Sequence, residues 1–195
     1  MVFDALRLPG APPRRLAPTE RWYSSLFCLC LLAGSCALAS FGFACATPFA
    51  AFAVVAADML PLPQALLVMT TAWIVNQSIG FAALGYPLDA STLLWGFAIG
   101  VGALAATAEA SVLVRSPIGS NQNAPAALGL AFVGAYSVYE VALFAFTPLL
   151  GGVGAFTPHI ILRLGALNLL WLIGLSAVCV VCRHLGAVSQ RSIQS

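Results

Sequence analysis

The sequence predicts an all-α polytopic membrane bundle: six transmembrane helices, the second of them short, with both termini cytoplasmic. Three observations predict it. Apolar residues make up 61% of the chain and charged residues only 7%, against the roughly 25% that a soluble domain spreads over its surface. The apolar residues come in long runs, and a helix crossing the hydrocarbon core needs about 20 of them. The basic residues are all arginine, and they fall almost entirely between the runs.

Residues 1–22 are polar and proline-rich (Leu8-Pro9-Gly10-Ala11-Pro12-Pro13-Arg14-Arg15) and are expected to form a cytoplasmic tail. The first helix follows over 24–45, with Trp22 and Tyr23 placed to anchor it at the headgroups. Ala44-Cys45-Ala46 has the form of a leader-cleavage site, but the apolar run at 26–43 exceeds the about 7–15 residues of a leader, so the segment is expected to remain as a helix. Residues 47–60 form the short second helix, opened by Pro48 and closed by Pro61 and Pro63. It would be only about 21 Å long. The remaining helices are expected over 66–84, 91–113, 125–149 and 160–182, within a bundle bounded by 23–184 and a cytoplasmic tail at 185–195.

The arginines decide between five spans and six. With six, Arg7, Arg14, Arg15, Arg21, Arg115, Arg183 and Arg191 all lie on the cytoplasmic side and only Arg163 lies near the outer face. With five, Arg115, Arg183 and Arg191 would be exported, against the positive-inside bias. The loops are short and no internal repeat is present, which disfavours an inverted-repeat transporter.

Polar side chains inside apolar spans cost free energy and need a partner or a purpose. Asn76 and Gln77 on the third helix, Trp95 on the fourth, Tyr136, Tyr139 and Glu140 on the fifth, and Arg163 and Asn168 on the sixth all fall in the outer half of the bundle. Such a layer is the signature expected of a ligand pocket open to the outside, where rings stack on a flat solute and a charge orients it. Each residue has a blander use. Glu140 would pair with Arg163 across the bundle, Asn76 and Gln77 would hydrogen-bond neighbouring helices, and Glu109 would snorkel or meet Arg115 near the cytoplasmic end. Gly85-Tyr86-Pro87-Leu88-Asp89 is a turn on the outer side, placed to cap a pocket.

Of six cysteines, Cys28, Cys30, Cys179 and Cys182 sit near the cytoplasmic ends of the first and last helices, where packing is the expected role. Arg183 occupies the position that a haem-attachment motif gives to histidine. No phosphate loop, nucleophile elbow or zinc-protease motif occurs, no cofactor or metal site is expected, and the few basic residues exclude nucleic acid as a partner.

The first helix carries Ala33-Gly34-Ser35-Cys36-Ala37, a small-xxx-small face that admits close approach of another helix. With its length, six spans and outward polar layer, the chain resembles the substrate-binding S-components of energy-coupling-factor vitamin transporters. The resemblance implies that Ala33 and Ala37 dock a transmembrane coupling subunit driven by ATPases, and that the outer layer binds a small nutrient. Two alternatives stand beside it. An accessory subunit of a larger complex would use its glycines (Gly80, Gly85, Gly96, Gly100, Gly102 and Gly129) at partner interfaces. A membrane enzyme would use Glu140 and His159 as acid and base. The arginine-only, alanine-rich composition points to a bacterial cytoplasmic membrane.

Overall fold

The computed structural model describes residues 21–43, 47–120 and 123–193. The N-terminal tail and Ala44-Cys45-Ala46 lie outside the described residues, as do the side chains of Trp22 and Tyr23. The described chain is helical throughout: α1 (Arg21–Phe43), α2 (Phe49–Met59), α3 (Leu62–Ser78, extended by a π turn over Ile79–Ala83), α4 (Ala90–Arg115), a short α5 (Pro117–Ser120), α6 (Ala124–Leu150), a 3-10 turn (Val153–Phe156) and α7 (Pro158–Ile193). Five of these helices are long and apolar enough to cross a membrane, and α2 is a shorter apolar helix. The protein is a multi-pass membrane protein. The helical run of α7 continues through most of the segment expected as a C-terminal tail.

Hydrogen bonds between helices fix their directions. Ser25 Oγ donates to Gln64 Oε1 (3.1 Å) and Asn76 Nδ2 donates to Ser40 Oγ (2.9 Å), so α1 and α3 run parallel. The chain must therefore reverse between them, and α2 makes that reversal. At its N-terminal end Thr47 meets Asn76 on upper α3. At its C-terminal end Arg115, the last residue of α4, donates to Ala57 O (3.1 Å) and Leu60 O (2.6 Å). Helix α4 runs antiparallel to α3, since Gln77 packs at Gly96 while Trp73, one turn earlier, packs at Gly100 and donates through Nε1 to Gly96 O (2.9 Å). Tyr139 of α6 packs at Gly102, and Tyr136 Oη donates to Ile161 O of α7 (2.6 Å). The order is thus up, down, up, down, up, down. The start of α1 and the end of α7 share one face, here the terminal face; the opposite one is the far face.

Every residue of α2 is buried. Eleven residues give about 16 Å of helix, short of a hydrocarbon core about 30 Å thick. Such a helix survives because it sits at the bundle axis rather than against lipid. Ala50, Ala51, Ala53, Ala56 and Ala57 let neighbouring backbones close in, while Phe49 and Phe52 fill the wider gaps. Phe52 meets Trp171 of α7 edge-on at 6.1 Å, and Phe49 meets Tyr139 of α6 at 6.3 Å. Helix α7 returns one buried ridge to this core, Asn168, Leu172, Leu175 and Cys179. Arg115 also donates to Ser111 O (2.9 Å), so one guanidinium ties the ends of α2 and α4 together.

At the terminal face Cys28 and Cys179 are buried and Cys30 and Cys182 are exposed, so the four thiols do not converge. Cys179 Sγ lies 3.9 Å from Met59 Sδ, a packing contact, and no metal-binding cluster of His, Cys, Asp or Glu occurs among the described residues. Glu109, expected to meet Arg115, lies instead beside Gly134 of α6. At the far face Asp89 caps α4 by accepting the Thr92 N–H (2.8 Å), a bond that holds its carboxyl below the usual carboxylate range.

Candidate functional site

Between α4, α6 and α7, toward the far face, the helices part around a half-open cavity of about 300 Å³. That is the lower end of the roughly 300–1,000 Å³ usual for small-molecule sites. Each wall is a short ridge at helical spacing: Trp95 and Ile99 from α4, Tyr139, Glu140 and Leu143 from α6, and Ile160, Leu164 and Asn168 from α7. Thr47, just before α2, forms the floor, and Gly152, with Ala155 and Phe156 of the 3-10 turn that follows it, overhangs the mouth.

The overhang depends on two consecutive glycines. Gly151 ends α6 at φ 76° and Gly152 follows at φ 86°, conformations that side-chain-bearing residues rarely adopt. A Cβ on Gly152 would stand 3.3 Å from the Trp95 ring, so the turn also needs glycine to lie on that indole. Phe156 is braced by Phe144, ring centroids 5.3 Å apart. The turn at Gly85–Asp89, expected to cap a pocket, does not reach this cavity. Its Tyr86 folds back onto Gly80 and Phe81 instead.

Of the eight residues singled out in the sequence, Trp95, Tyr139, Glu140 and Asn168 line the cavity. Asn168 is buried, accepts the Ala51 N–H through Oδ1 (3.3 Å) and donates through Nδ2 to Leu164 O (3.0 Å). It satisfies one of the orphan donors in the first turn of α2. A carboxamide has two donors and two lone pairs, so Asn168 keeps one of each for a solute.

The other four stand outside the lining. Asn76 Nδ2 donates to Ser40 Oγ and to Thr47 Oγ1 (2.8 Å), and its Oδ1 accepts from Gln77 Nε2 (3.1 Å). The pair therefore works from behind the wall, fixing the threonine at the floor. Tyr136 stacks on Phe132 at 5.9 Å and spends its hydroxyl on Ile161 O, clasping α6 to α7. Arg163 is exposed. The expected Glu140–Arg163 pair does not form, and among the described residues no cation stands within ion-pair distance of Glu140. His159 is exposed and does not join Glu140 in the lining.

Thr47, Phe156 and the Gly151-Gly152 turn were not anticipated. Gly151-Gly152 flanked by Thr147-Pro148 and Thr157-Pro158 is the local signal for a sharp structured turn. Asp58, buried near the terminal face, was likewise not singled out.

Asn76→Leu is expected to cost about 1–3 kcal/mol, because it strips partners from Ser40, Thr47 and Gln77 at once. Thermal unfolding in detergent should show a lower midpoint. Gln77→Leu, which removes only an outer member of the network, should shift it far less.

No family model, curated protein or solved structure matches the chain.

Proposed function

We propose that this protein is the solute-binding membrane subunit of an uptake system, taking a small nutrient into the cavity from outside and relying on a partner for energy. The observation that carries this is the cavity itself, in which four residues from three helices, flagged independently by their cost in lipid, converge. Six crossings with both termini cytoplasmic complete the picture. Parallel α1 and α3 support counting α2 as a crossing. Arg115 and Arg183 belong to the terminal face and Arg163 to the far face, so the positive-inside bias makes the far face external. The arginine-only composition favours a bacterial inner membrane.

Four of the six glycines weigh against a purely accessory role, while Gly85 and Gly129 have open space beside them. Added Cβ atoms at Gly80, Gly96, Gly100 and Gly102 would strike Tyr86, Gln77, Trp73 and Tyr139, so these glycines serve packing within the bundle. The small-residue face of α1 is different. Gly34 has open space beside it and Ala33 and Ala37 are only partly covered, leaving a surface of the kind that S-components of energy-coupling-factor transporters present to their coupling subunit.

Mild-detergent purification of the tagged protein from its native membrane tests this. Stoichiometric recovery of ATPase subunits with one further membrane protein is the expected result, and Ala33→Leu should abolish that recovery while leaving the cavity intact. Recovery with a respiratory, photosynthetic or secretion complex, unaffected by Ala33→Leu, would overturn the proposal.

A further inference from the structure

We infer that the cavity selects an organic ammonium cation with a compact apolar body. This rests on the cavity being a solute site and goes further by naming the solute's charge.

Three aromatic residues, Trp95, Tyr139 and Phe156, reach the cavity from three different elements, and Glu140 is the one ionisable carboxylate in its lining. Aromatic faces carry negative potential, and rings gathered around a small space attract ammonium groups. The lining has no arginine, lysine or histidine, so nothing in it would compensate an anionic solute. Arg163, beside the lining residue Leu164 in the chain, is exposed.

Glu140 strengthens the case. A carboxylate half-buried within a bundle is costly unless a cation answers it, and no described cation does. Tyr136, one turn away, sets its hydroxyl beside Glu140 while donating to Ile161 O, and a phenol brings no positive charge. Ile99, Leu143, Ile160 and Leu164 then provide an apolar chamber for the rest of the molecule. A bare metal ion would need several hard ligands, and the lining offers mostly hydrocarbon.

The test uses three water-soluble probes of similar shape on the purified full chain: 2-phenylethylamine (cationic), 2-phenylethanol (neutral) and phenylacetate (anionic). Titration calorimetry should rank the amine first, at least about tenfold tighter than the alcohol, with phenylacetate weakest. Glu140→Gln should bring amine and alcohol to within about twofold of each other, while Glu140→Asp retains part of the preference. Should Glu140→Gln fail to fold, the ranking on the unmodified protein still decides.

Two sources supply such an amine, a free solute or a lipid headgroup, and nanodiscs separate them. Equal amine affinity in phosphatidylglycerol and phosphatidylethanolamine discs identifies a free solute; weaker affinity in phosphatidylethanolamine discs identifies the headgroup. Both support an ammonium site. Alcohol binding as tightly as amine overturns the charge assignment while leaving a solute site. Binding of none of the three overturns it as well, and solvent access to the cavity, measured separately at residue 164, then decides whether the site itself survives.

Discussion

Phe52→Ala should destabilise the bundle by about 3–5 kcal/mol, the range for deleting a buried aromatic side chain. Phe52 is fully buried on α2 and packs edge-on against Trp171, so its removal leaves a void at the axis where α2 meets α7. Phe49 and Trp171, the rings packed against Phe52, would each lose a partner there. Those dispersion contacts are lost with the ring. Phe97→Ala is the control. Phe97 is 57% exposed on α4, where lipid tails replace the missing ring, and its loss should cost less than about 1 kcal/mol. Unfolding of the two variants by denaturing detergent, each against the parent, measures the difference. Equal losses would mean that α2 is not the keystone.

Leu164→Trp should separate stability from function. Leu164 faces the cavity from the middle of the α7 ridge, and an indole there occupies space that a solute would need. Overpacking of about 1–3 kcal/mol against the solute corresponds to roughly 100-fold weaker binding at its upper end. The empty protein has room for the larger ring, so its unfolding midpoint should hold or rise, the common pattern when a functional void is filled. Uptake assays on cells expressing the protein, paired with thermal unfolding, read the two effects. A large fall in the midpoint would show that Leu164 packs the core rather than lining an open cavity.

Much of the fold was legible because lipid imposes one dominant rule: hydropathy located the long helices to within a few residues, except at the C-terminal end of α7, whose helical run continues to Ile193. The short second helix was legible as well, since prolines bracket it and its alanines suit a central position. Depth was legible and azimuth was not fully used. Five residues separate Arg163 from Asn168, a rotation of about 140° on a helix, so the two could not share a wall. Tyr136 and Glu140 differ by only about 40°, yet the Tyr136 hydroxyl is taken up by Ile161 O, which depends on how closely α7 approaches. That approach, like the fold-back of the Gly151-Gly152 turn over Trp95, is set by contacts between distant segments and leaves no periodic trace in the sequence. Asn76 was legible as a polar anomaly, but its placement behind Thr47 required knowing that α1 and α3 run parallel.

Solvent access from outside tests the central claim most directly. Leu164→Cys in a cysteine-free background would be exposed, in intact spheroplasts, to a membrane-impermeant maleimide. Labelling should proceed without permeabilisation, far faster than at the lipid-facing control Val133→Cys, which is 62% exposed on α6 but bathed in hydrocarbon. A thiol at 164 that reacts only after the membrane is breached, or no faster than the one at 133, would contradict an outward-open solute cavity.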